Sequence, residues 1–241
     1  ENYSILVPYF LMSAMFALIT LIAFFELFFK KNKAKHVYKN RGLFFGIKYI
    51  FKKPSLIFYF ITNFAFGANW GIKAMLWPLI IFGMTSSDTM TGTIFATMGI
   101  TAFFILLLAG KLVDKIGSFK AAFVSMIILV TSGLVLGLTN EIIVFWVAAA
   151  VFAIGEAING PMQAVLLTNN VDNSYRGEIL GIDSTIDMII NTASPSVAGI
   201  LLKYFLAQEI LLFYIGLFWI AIISCLLIYN IKLRKKGKLS K

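Results

Sequence analysis

Apolar residues in this chain occur in long runs whose length suits a membrane-crossing helix. A helix needs about 20 predominantly apolar residues to cross the hydrocarbon core of a bilayer. Seven runs reach this length, over residues 4–29, 56–84, 89–110, 119–138, 141–166, 178–206 and 209–231. The first run is too long for the apolar core of a signal peptide, and no basic residue precedes it. The pattern therefore predicts an all-α, polytopic membrane bundle of seven spans.

The polar side chains inside the later runs are sorted in a regular way. The runs at 119–138 and 209–231 contain almost none of them. The other four later runs carry Asn63, Asn69, Lys73, Thr91, Thr93, Thr97, Thr101, Glu156, Asn159, Gln163, Asp183, Asp187 and Asn191. Each triplet of runs therefore reads polar, polar, apolar, the order expected of two three-helix repeats of inverted orientation. We expect the first two helices of each triplet to line a cavity and the third to face lipid.

Basic residues fall almost entirely on one side of the membrane when the runs are threaded alternately across it. Nineteen of the 21 Lys and Arg residues lie on that side, whereas Glu1, Asp88, Glu141 and Glu209 lie on the other. Short basic loops stay in the cytoplasm. We therefore expect the N-terminus outside and the C-terminus inside.

This threading divides the chain into four parts. Residues 1–29 form a first span, 30–55 a basic cytoplasmic loop, 56–231 a six-helix transmembrane bundle and 232–241 a basic cytoplasmic tail. Within the loop, residues 42–53 place apolar side chains at helical spacing with lysines at the polar edge. This pattern is typical of a short helix in the membrane interface, and a basic linker with buried aromatic residues is the alternative.

The composition excludes several classes of protein. Of the 241 residues, 60% are hydrophobic and only 13% are charged, which leaves too little polar surface for a soluble domain. The net charge of +10 comes largely from residues at helix ends, where they meet anionic lipid head groups, so no nucleic-acid partner is expected. The sequence has one histidine and no metal-ligand string, and we expect no enzyme activity, metal or cofactor.

A loop motif lies between the third and fourth runs. It reads Gly110-Lys-Leu-Val-Asp114-Lys115-Ile-Gly117. This resembles the cytoplasmic loop motif of the major facilitator superfamily, Gly-x-Leu-x-Asp-Arg/Lys-x-Gly, although the Ser-Phe pair that follows departs from the usual basic pair. The two glycines permit a tight reversal between helices, and a carboxylate is favoured near a helix N-terminus. The resemblance implies a role in conformational gating.

A second motif opens the sixth run. Residues 169–181 read NNVDNSYRGEILG, and Pro195 follows farther along. An Arg-Gly-x-x-x-Gly pattern, here beginning at Arg176, and a mid-helix proline resemble the eleventh helix of the same superfamily. We expect Arg176 to take part in conformational gating together with the loop motif. The resemblance covers essentially the whole chain and implies that it corresponds to the sixth to twelfth helices of a twelve-helix transporter. It also implies that an N-terminal half is missing, in keeping with a chain that begins with Glu1 rather than methionine.

Ionisable and amide side chains deep in a membrane usually face a cavity or a partner. In this chain they form one stripe on the fifth run (Glu156, Asn159 and Gln163), a second on the sixth (Asp183, Asp187 and Asn191) and two positions on the second (Asn69 and Lys73). We expect Glu156 or Asp187 to exchange a proton, because burial favours a neutral carboxyl group while a nearby ammonium favours the charged one. Lys73 or a substrate charge would tune that exchange. The alternative is a static buried ion pair between Lys73 and one carboxylate.

Together these features predict a secondary active transporter that moves a small-molecule substrate by alternating access. Proton-coupled efflux of drugs or amphipathic compounds through the cell (plasma) membrane is the favoured form. The loop GLFFGIKYIFKKPSL looks like that of bacterial multidrug and macrolide exporters. A sugar or metabolite carrier of the same superfamily is one alternative, and a seven-helix receptor or retinal protein is another. The expected partners are the substrate, protons, the lipid bilayer and the N-terminal half.

Overall fold

The computed structural model describes the backbone of residues 43–239 and the side chains of residues 46–228. The regular structure of this part consists of seven α-helices, α1 (Leu43–Lys52), α2 (Pro54–Thr85), α3 (Asp88–Ile116), α4 (Ser118–Leu138), α5 (Ile142–Asn170), α6 (Arg176–Leu201) and α7 (Ala207–Leu239). The prediction of an all-α polytopic bundle is confirmed for these residues. The predicted first span at 4–29 lies outside them.

The six later apolar runs each form one helix. Five of these helices, α2 to α5 and the Ala207–Ile228 part of α7, are long and apolar enough to cross a membrane. α6 has 26 residues, which is enough length at about 1.5 Å per residue, but Glu178, Asp183 and Asp187 make it more polar. A helix of this polarity in a membrane must turn its charged side chains towards protein or water.

α1 occupies the segment in which the sequence predicts a short helix. Gly46 and Ile50 are buried, whereas Lys48, Phe51 and Lys52 are exposed, so the helix has one face packed and one free in the described bundle. Pro54 follows in the first turn of α2. Proline fits a first helical turn but cannot donate a backbone hydrogen bond within a continuing helix, so it separates α1 from α2. The location of α1 in the membrane interface stays a prediction.

The packing of the helices follows an approximate two-fold symmetry. α2 packs against α6 and α7, and α5 packs against α3 and α4. Exchanging α2 with α5, α3 with α6 and α4 with α7 converts the first set of contacts into the second. The contacts of α2 with α5 and of α4 with α7 map onto themselves. This is the arrangement of two three-helix repeats that the polarity pattern predicts.

A close approach of α2 to α6 fixes the position of the more polar helix. Gly67 and Gly71 are one turn apart on α2 and both face α6. A Cβ atom on Gly71 would lie 3.0 Å from the carbonyl oxygen of Asn191 and 3.0 Å from Cδ of Pro195. Small residues spaced in this way let two membrane helices pack backbone against backbone.

The third helix of each repeat, α4 or α7, is packed into the bundle on one side and is apolar on the other. The exposed large side chains of α4 are Val124, Ile127, Val135 and Leu138. Its buried side includes small residues such as Ser125, whose hydroxyl donates to the carbonyl oxygen of Gly155 on α5 at 2.8 Å. An apolar outer surface is what a lipid-facing helix requires. Contact with lipid itself stays a prediction.

Candidate functional site

An ion pair joins α2 to α5 in the middle of the bundle. It is formed by Lys73 and Glu156, which we call the central pair, and only 8% and 14% of their side-chain surfaces are exposed. Glu156 lies about 21 Å from either end of α5, at about 1.5 Å per residue from Ile142 and from Asn170. Sequence reasoning left open whether Lys73 pairs with a carboxylate or tunes proton exchange. The pairing is observed, and it is compatible with either role.

Two tryptophans on α2 flank the ammonium group of the central pair. Nζ of Lys73 lies 5.1 Å from the ring centroid of Trp70 and 5.8 Å from that of Trp77, within the range of a cation–π interaction. Trp77 is fully buried and packs edge-on against Phe145 and Phe152 of α5. Trp70 is 55% exposed. Sequence reasoning did not assign these residues to the site, although their spacing from Lys73 on one helix provides the signal.

Several amide side chains that lack hydrogen-bond partners among the described residues lie near the level of the central pair in the bundle. Asn69 is 1% exposed, and among the described residues neither atom of its amide has a partner. The same holds for Nδ2 of Asn159, which is 2% exposed, and for Nε2 of Gln163. Because α2 and α5 are antiparallel and meet at Lys73 and Glu156, one turn along each helix brings Asn69 and Asn159 to the same level. Buried amides usually have partners, so this level of the bundle is suited to bind a polar group.

The carboxylates of α6 are held by polar side chains from α2. The Tyr59 hydroxyl donates to Oδ2 of Asp183 at 2.8 Å. The Asn63 amide donates to Oδ1 of Asp183 at 2.8 Å and to Oδ1 of Asp187 at 3.0 Å. One amide thus bridges two carboxylates that are one helical turn apart. Asp183 and Asp187 are therefore brought together, but in a group separate from the central pair.

The predicted stripe on α6 is divided in the structure. Asn191, its third member, has an exposed side chain, and its backbone carbonyl lies against Gly71. Sequence reasoning missed Tyr59 as a partner of Asp183. Tyr59 and Asn63 are at i and i+4 on α2, so they share the face that meets α6. That spacing was visible in the sequence, but the register of α2 against α6 was not.

The loop motif forms the reversal between α3 and α4 in a way that differs from the expectation. α3 continues to Ile116, so Gly110, Asp114 and Lys115 are helical and Gly117 alone separates the two helices. Gly117 has φ +84, a conformation that favours glycine. The expectation that both glycines make the turn was wrong for Gly110, which lies inside α3, and it is confirmed for Gly117. Asp114 lies in the last turn of α3, and its placement near a helix N-terminus stays a prediction. Asp114 and Lys115 are exposed.

A second Lys–carboxylate group lies at the end of the bundle where α1 meets α2. Nζ of Lys53 donates to the Tyr49 hydroxyl at 2.6 Å and lies 3.6 Å from Oδ1 of Asp172, and Tyr49 donates to Oδ2 of Asp172 at 3.0 Å. We call Tyr49, Lys53 and Asp172 the loop cluster. The hydrogen bond to Tyr49, aided by the charge of Asp172, raises the pKa of Lys53. The cluster ties the start of α2 to the loop between α5 and α6.

Arg176 begins α6 beside this cluster but does not join it. Its Nη2 donates to the carbonyl oxygen of Thr168 at 3.4 Å, a long hydrogen bond. Its Nε is buried and has no partner among the described residues. The predicted gating role of Arg176 thus stays a prediction, with α5 as the element that it contacts.

Comparison with known proteins agrees with the geometry. The family profile of the Major Facilitator Superfamily matches the chain over residues 2–195 and over residues 59–240. No curated protein matches the chain. The described bundle, with its two related three-helix repeats, is half of the fold of this family. The chain belongs to the major facilitator superfamily, a family of membrane transporters.

Proposed function

We propose that this chain is the C-terminal part of a proton-coupled exporter of amphipathic compounds in the cell (plasma) membrane. The observation that carries the proposal is the central pair, Lys73 and Glu156, buried between α2 and α5. A charge in the interior of a membrane protein is costly, and it is retained where it serves transport, proton transfer or pairing. The remaining half of the transporter would supply the opposite wall of the cavity.

Protonation of Glu156 supplies the switch. A proton from water binds the carboxylate of Glu156, neutralises it and removes the counter-charge of Lys73. When the proton leaves to water on the other side, the ion pair forms again. Breaking a buried pair by removing one charge costs about 3–5 kcal/mol. The protonated and deprotonated states therefore favour different separations of α2 and α5.

The two tryptophans limit the cost of the protonated state. With Glu156 neutral, Lys73 still lies over the rings of Trp70 and Trp77. A cation–π contact of this kind contributes about 0.5–2 kcal/mol, depending on desolvation. Lys73 thus keeps part of its stabilisation, and the switch does not leave an ammonium group in a purely apolar environment.

The surroundings of the central pair suit a flat, mainly apolar substrate with a few polar groups. Trp70 is more than half exposed and offers an aromatic face beside the pair. At the neighbouring level, the Asn69 amide and Nδ2 of Asn159 have no hydrogen-bond partner among the described residues. Aromatic surface with a few placed polar groups is the usual composition of a site for a small organic molecule.

Asp187 has a second role in this proposal. Within the described part of the chain, the side chains that donate to it and to Asp183 are the neutral ones of Tyr59 and Asn63. A change in their protonation would alter the contact between α2 and α6 rather than that between α2 and α5. We assign Glu156 the role of proton carrier and Asp187 that of a coupled group that responds to the position of α2.

Transport in membrane vesicles that contain the complete transporter tests the proposal. Glu156→Gln preserves the shape of the side chain and removes its charge. We expect proton-gradient-driven export of a fluorescent amphipathic drug to be lost, while exchange of labelled for unlabelled drug continues. Glu141→Gln is the matched control, because it makes the same substitution at an exposed position just before the same helix.

The outcomes separate the parts of the proposal. Full proton coupling in Glu156→Gln would overturn its role as the carrier. Loss of coupling in Asp187→Asn alone would move that role to α6. Transport of sugars but not of amphipathic drugs by the unmodified protein would favour the metabolite-carrier alternative. Each variant is compared at equal amounts in the membrane.

A further inference from the structure

An apolar groove runs along the outside of the described bundle between α6 and α7. α2 forms its floor with Ile57 and Ile61, and the walls include Ile186 of α6, Leu217 and Ile220 of α7. Phe51 of α1 also lines it. The volume is about 450 Å³ and the lining is almost entirely apolar. The groove exists because α6 and α7 both pack on α2 at this level and leave space between them.

The apolar surface alone does not select an occupant. In a bilayer, lipid tails are as apolar as leucine, so filling such a groove gains little from the hydrophobic effect. Any selectivity must come from polar or charged groups near the groove. α1 supplies them.

Two lysines of α1 lie close in sequence to Phe51, which lines the groove. Lys48 and Lys52 are exposed, one helical turn apart on α1, and on either side of Phe51 in sequence. Lys48 and Phe51 are at i and i+3, so they share a face of the helix. Among the described residues neither lysine has an ion pair, whereas Lys53 next to them is bound by Tyr49 and Asp172. Two positive charges that have no ion pair among the described residues, on a helix that contributes to an apolar groove, complement a molecule with an anionic head and an apolar tail.

We propose that this groove binds an anionic phospholipid, with one acyl chain between α6 and α7 and the phosphate group at Lys48 and Lys52. The level of the site is consistent with this assignment. α1 precedes α2, and the groove occupies the first third of α2, from Ile57 to Ala65. The predicted orientation places that end at the cytoplasmic surface, where basic side chains meet anionic lipids. The phospholipid would link α1 to the rest of the bundle.

Native mass spectrometry of the full chain in detergent tests the head-group preference. Dioleoyl phosphatidylglycerol and dioleoyl phosphatidylcholine are titrated separately, so that the tails are the same and only the head group differs. We expect tighter binding of phosphatidylglycerol. Lys48→Gln and Lys52→Gln should each reduce the preference by about fivefold, and the double variant by about 25-fold, because one basic residue near the surface contributes about that factor.

Matched variants separate a specific site from general charge attraction. Lys111→Gln removes the same charge from an exposed lysine at the far end of α3, on the same predicted side of the membrane. It should leave the preference nearly unchanged. Ile61→Trp and Leu217→Trp fill the groove from two different helices and should reduce binding of both lipids, with circular dichroism confirming the fold. Equal binding of the two lipids, or an equal effect of Lys111→Gln, would overturn the proposal.

Photo-crosslinking distinguishes a lipid from a protein occupant. A photoreactive amino acid at Ile61, in the floor of the groove, is activated in native membranes and the adduct is weighed. A mass increase equal to a phosphatidylglycerol supports the proposal. An adduct with another protein segment, whether from this chain or from a partner, would show that protein covers the groove and would overturn it.

Discussion

Two Lys–carboxylate pairs connect α2 to α5 and its following loop, and they differ in almost every physical respect. In the loop cluster, Lys53 and Asp172 have side chains that are 38% and 63% exposed. In the central pair, Lys73 and Glu156 are 8% and 14% exposed. The first pair is surrounded by polar groups and solvent, and the second by tryptophan rings. The same chemical pair therefore occurs once at a helix end and once in the interior.

The difference determines what each pair can do. An exposed ion pair contributes about 0–1 kcal/mol, since water and salt screen it. A buried pair contributes little over an apolar replacement, but loss of one member costs about 3–5 kcal/mol. Of these two pairs, the central one is therefore the one whose loss of a charge is expected to have a large effect on helix packing. The loop cluster connects the start of α2 to the loop before α6. Its charges lose little solvation, and they contribute little to the free energy of unfolding.

The largest loss of stability is expected when one of the two residues of the central pair is replaced. Glu156→Leu leaves the ammonium of Lys73 without a counter-charge and should lower the free energy of unfolding by about 3–5 kcal/mol. Adding Lys73→Met should restore most of that loss, because it removes the unpaired charge. Thermal unfolding in detergent, followed by circular dichroism, measures both variants.

The loop cluster provides the comparison for this experiment. Asp172→Leu breaks the exposed pair, and Lys53→Met should restore almost nothing because little is lost. If the double variant at the central pair were no more stable than Glu156→Leu, the ion pair would not be the source of the effect. The difference in stability loss between the two regions would then come from side-chain packing and not from charge.

A substitution at Gly71 separates packing from charge at the same depth. Gly71→Ala places a methyl group against the Ser194 hydroxyl of α6, and 3.0 Å from both the carbonyl oxygen of Asn191 and Cδ of Pro195, without touching either ion pair. Overpacking of this kind costs about 1–3 kcal/mol. Gly83→Ala is the control, since a Cβ atom there meets nothing within 4 Å on the same helix. An equal effect of the two variants would mean that helix propensity, not the contact with α6, determines the result.

Much of this architecture was predictable because membrane helices leave simple patterns. Apolar runs gave the six later helices, and the alternation of polar and apolar runs gave the two repeats. Burial of charge made Lys73, Glu156 and Asp187 candidates before any contact was known. These signals depend on the composition of single helices and on the spacing of polar residues along them. Both can be read directly from the sequence.

The contacts between helices were not predictable in the same way. The sequence does not give the register of α2 against α6, so the bridge from Asn63 to Asp183 and Asp187 was not foreseen. The loop motif suggested a turn at Gly110, but helical packing of Val113 extends α3 past it. The loop cluster joins residues more than one hundred positions apart. Such contacts depend on three-dimensional packing, and no local pattern encodes them.

A smaller loss of stability is expected for a substitution at Tyr59, which lies along α2 between Lys53 of the loop cluster and Lys73 of the central pair. Tyr59→Phe removes the hydrogen bond to Asp183, whose other oxygen still accepts from Asn63. One hydrogen bond contributes about 0.5–1.5 kcal/mol. Tyr204→Phe, at a position that is 76% exposed, is the control. Thermal unfolding of the two variants measures the loss of stability that each substitution causes. A loss in Tyr59→Phe as large as that in Glu156→Leu would show that the central pair is no more sensitive to substitution than other polar contacts of α2.

The smallest effect is expected from the loop cluster itself. Lys53→Met should lower the free energy of unfolding by about 0–1 kcal/mol, and the loss should shrink further in high salt, because exposed charges are screened. The pKa of Lys53 is raised above its ordinary 10.5, so the lysine is charged in both the folded and the unfolded chain at neutral pH. Its contribution is therefore complete below that value and is lost only as the pH rises through the raised pKa. Around neutral pH, Lys53→Met should therefore leave the pH dependence of the free energy of unfolding unchanged. A salt-independent loss of several kcal/mol would instead show that α1 and the start of α2 are held by this cluster as firmly as α5 is held by the central pair.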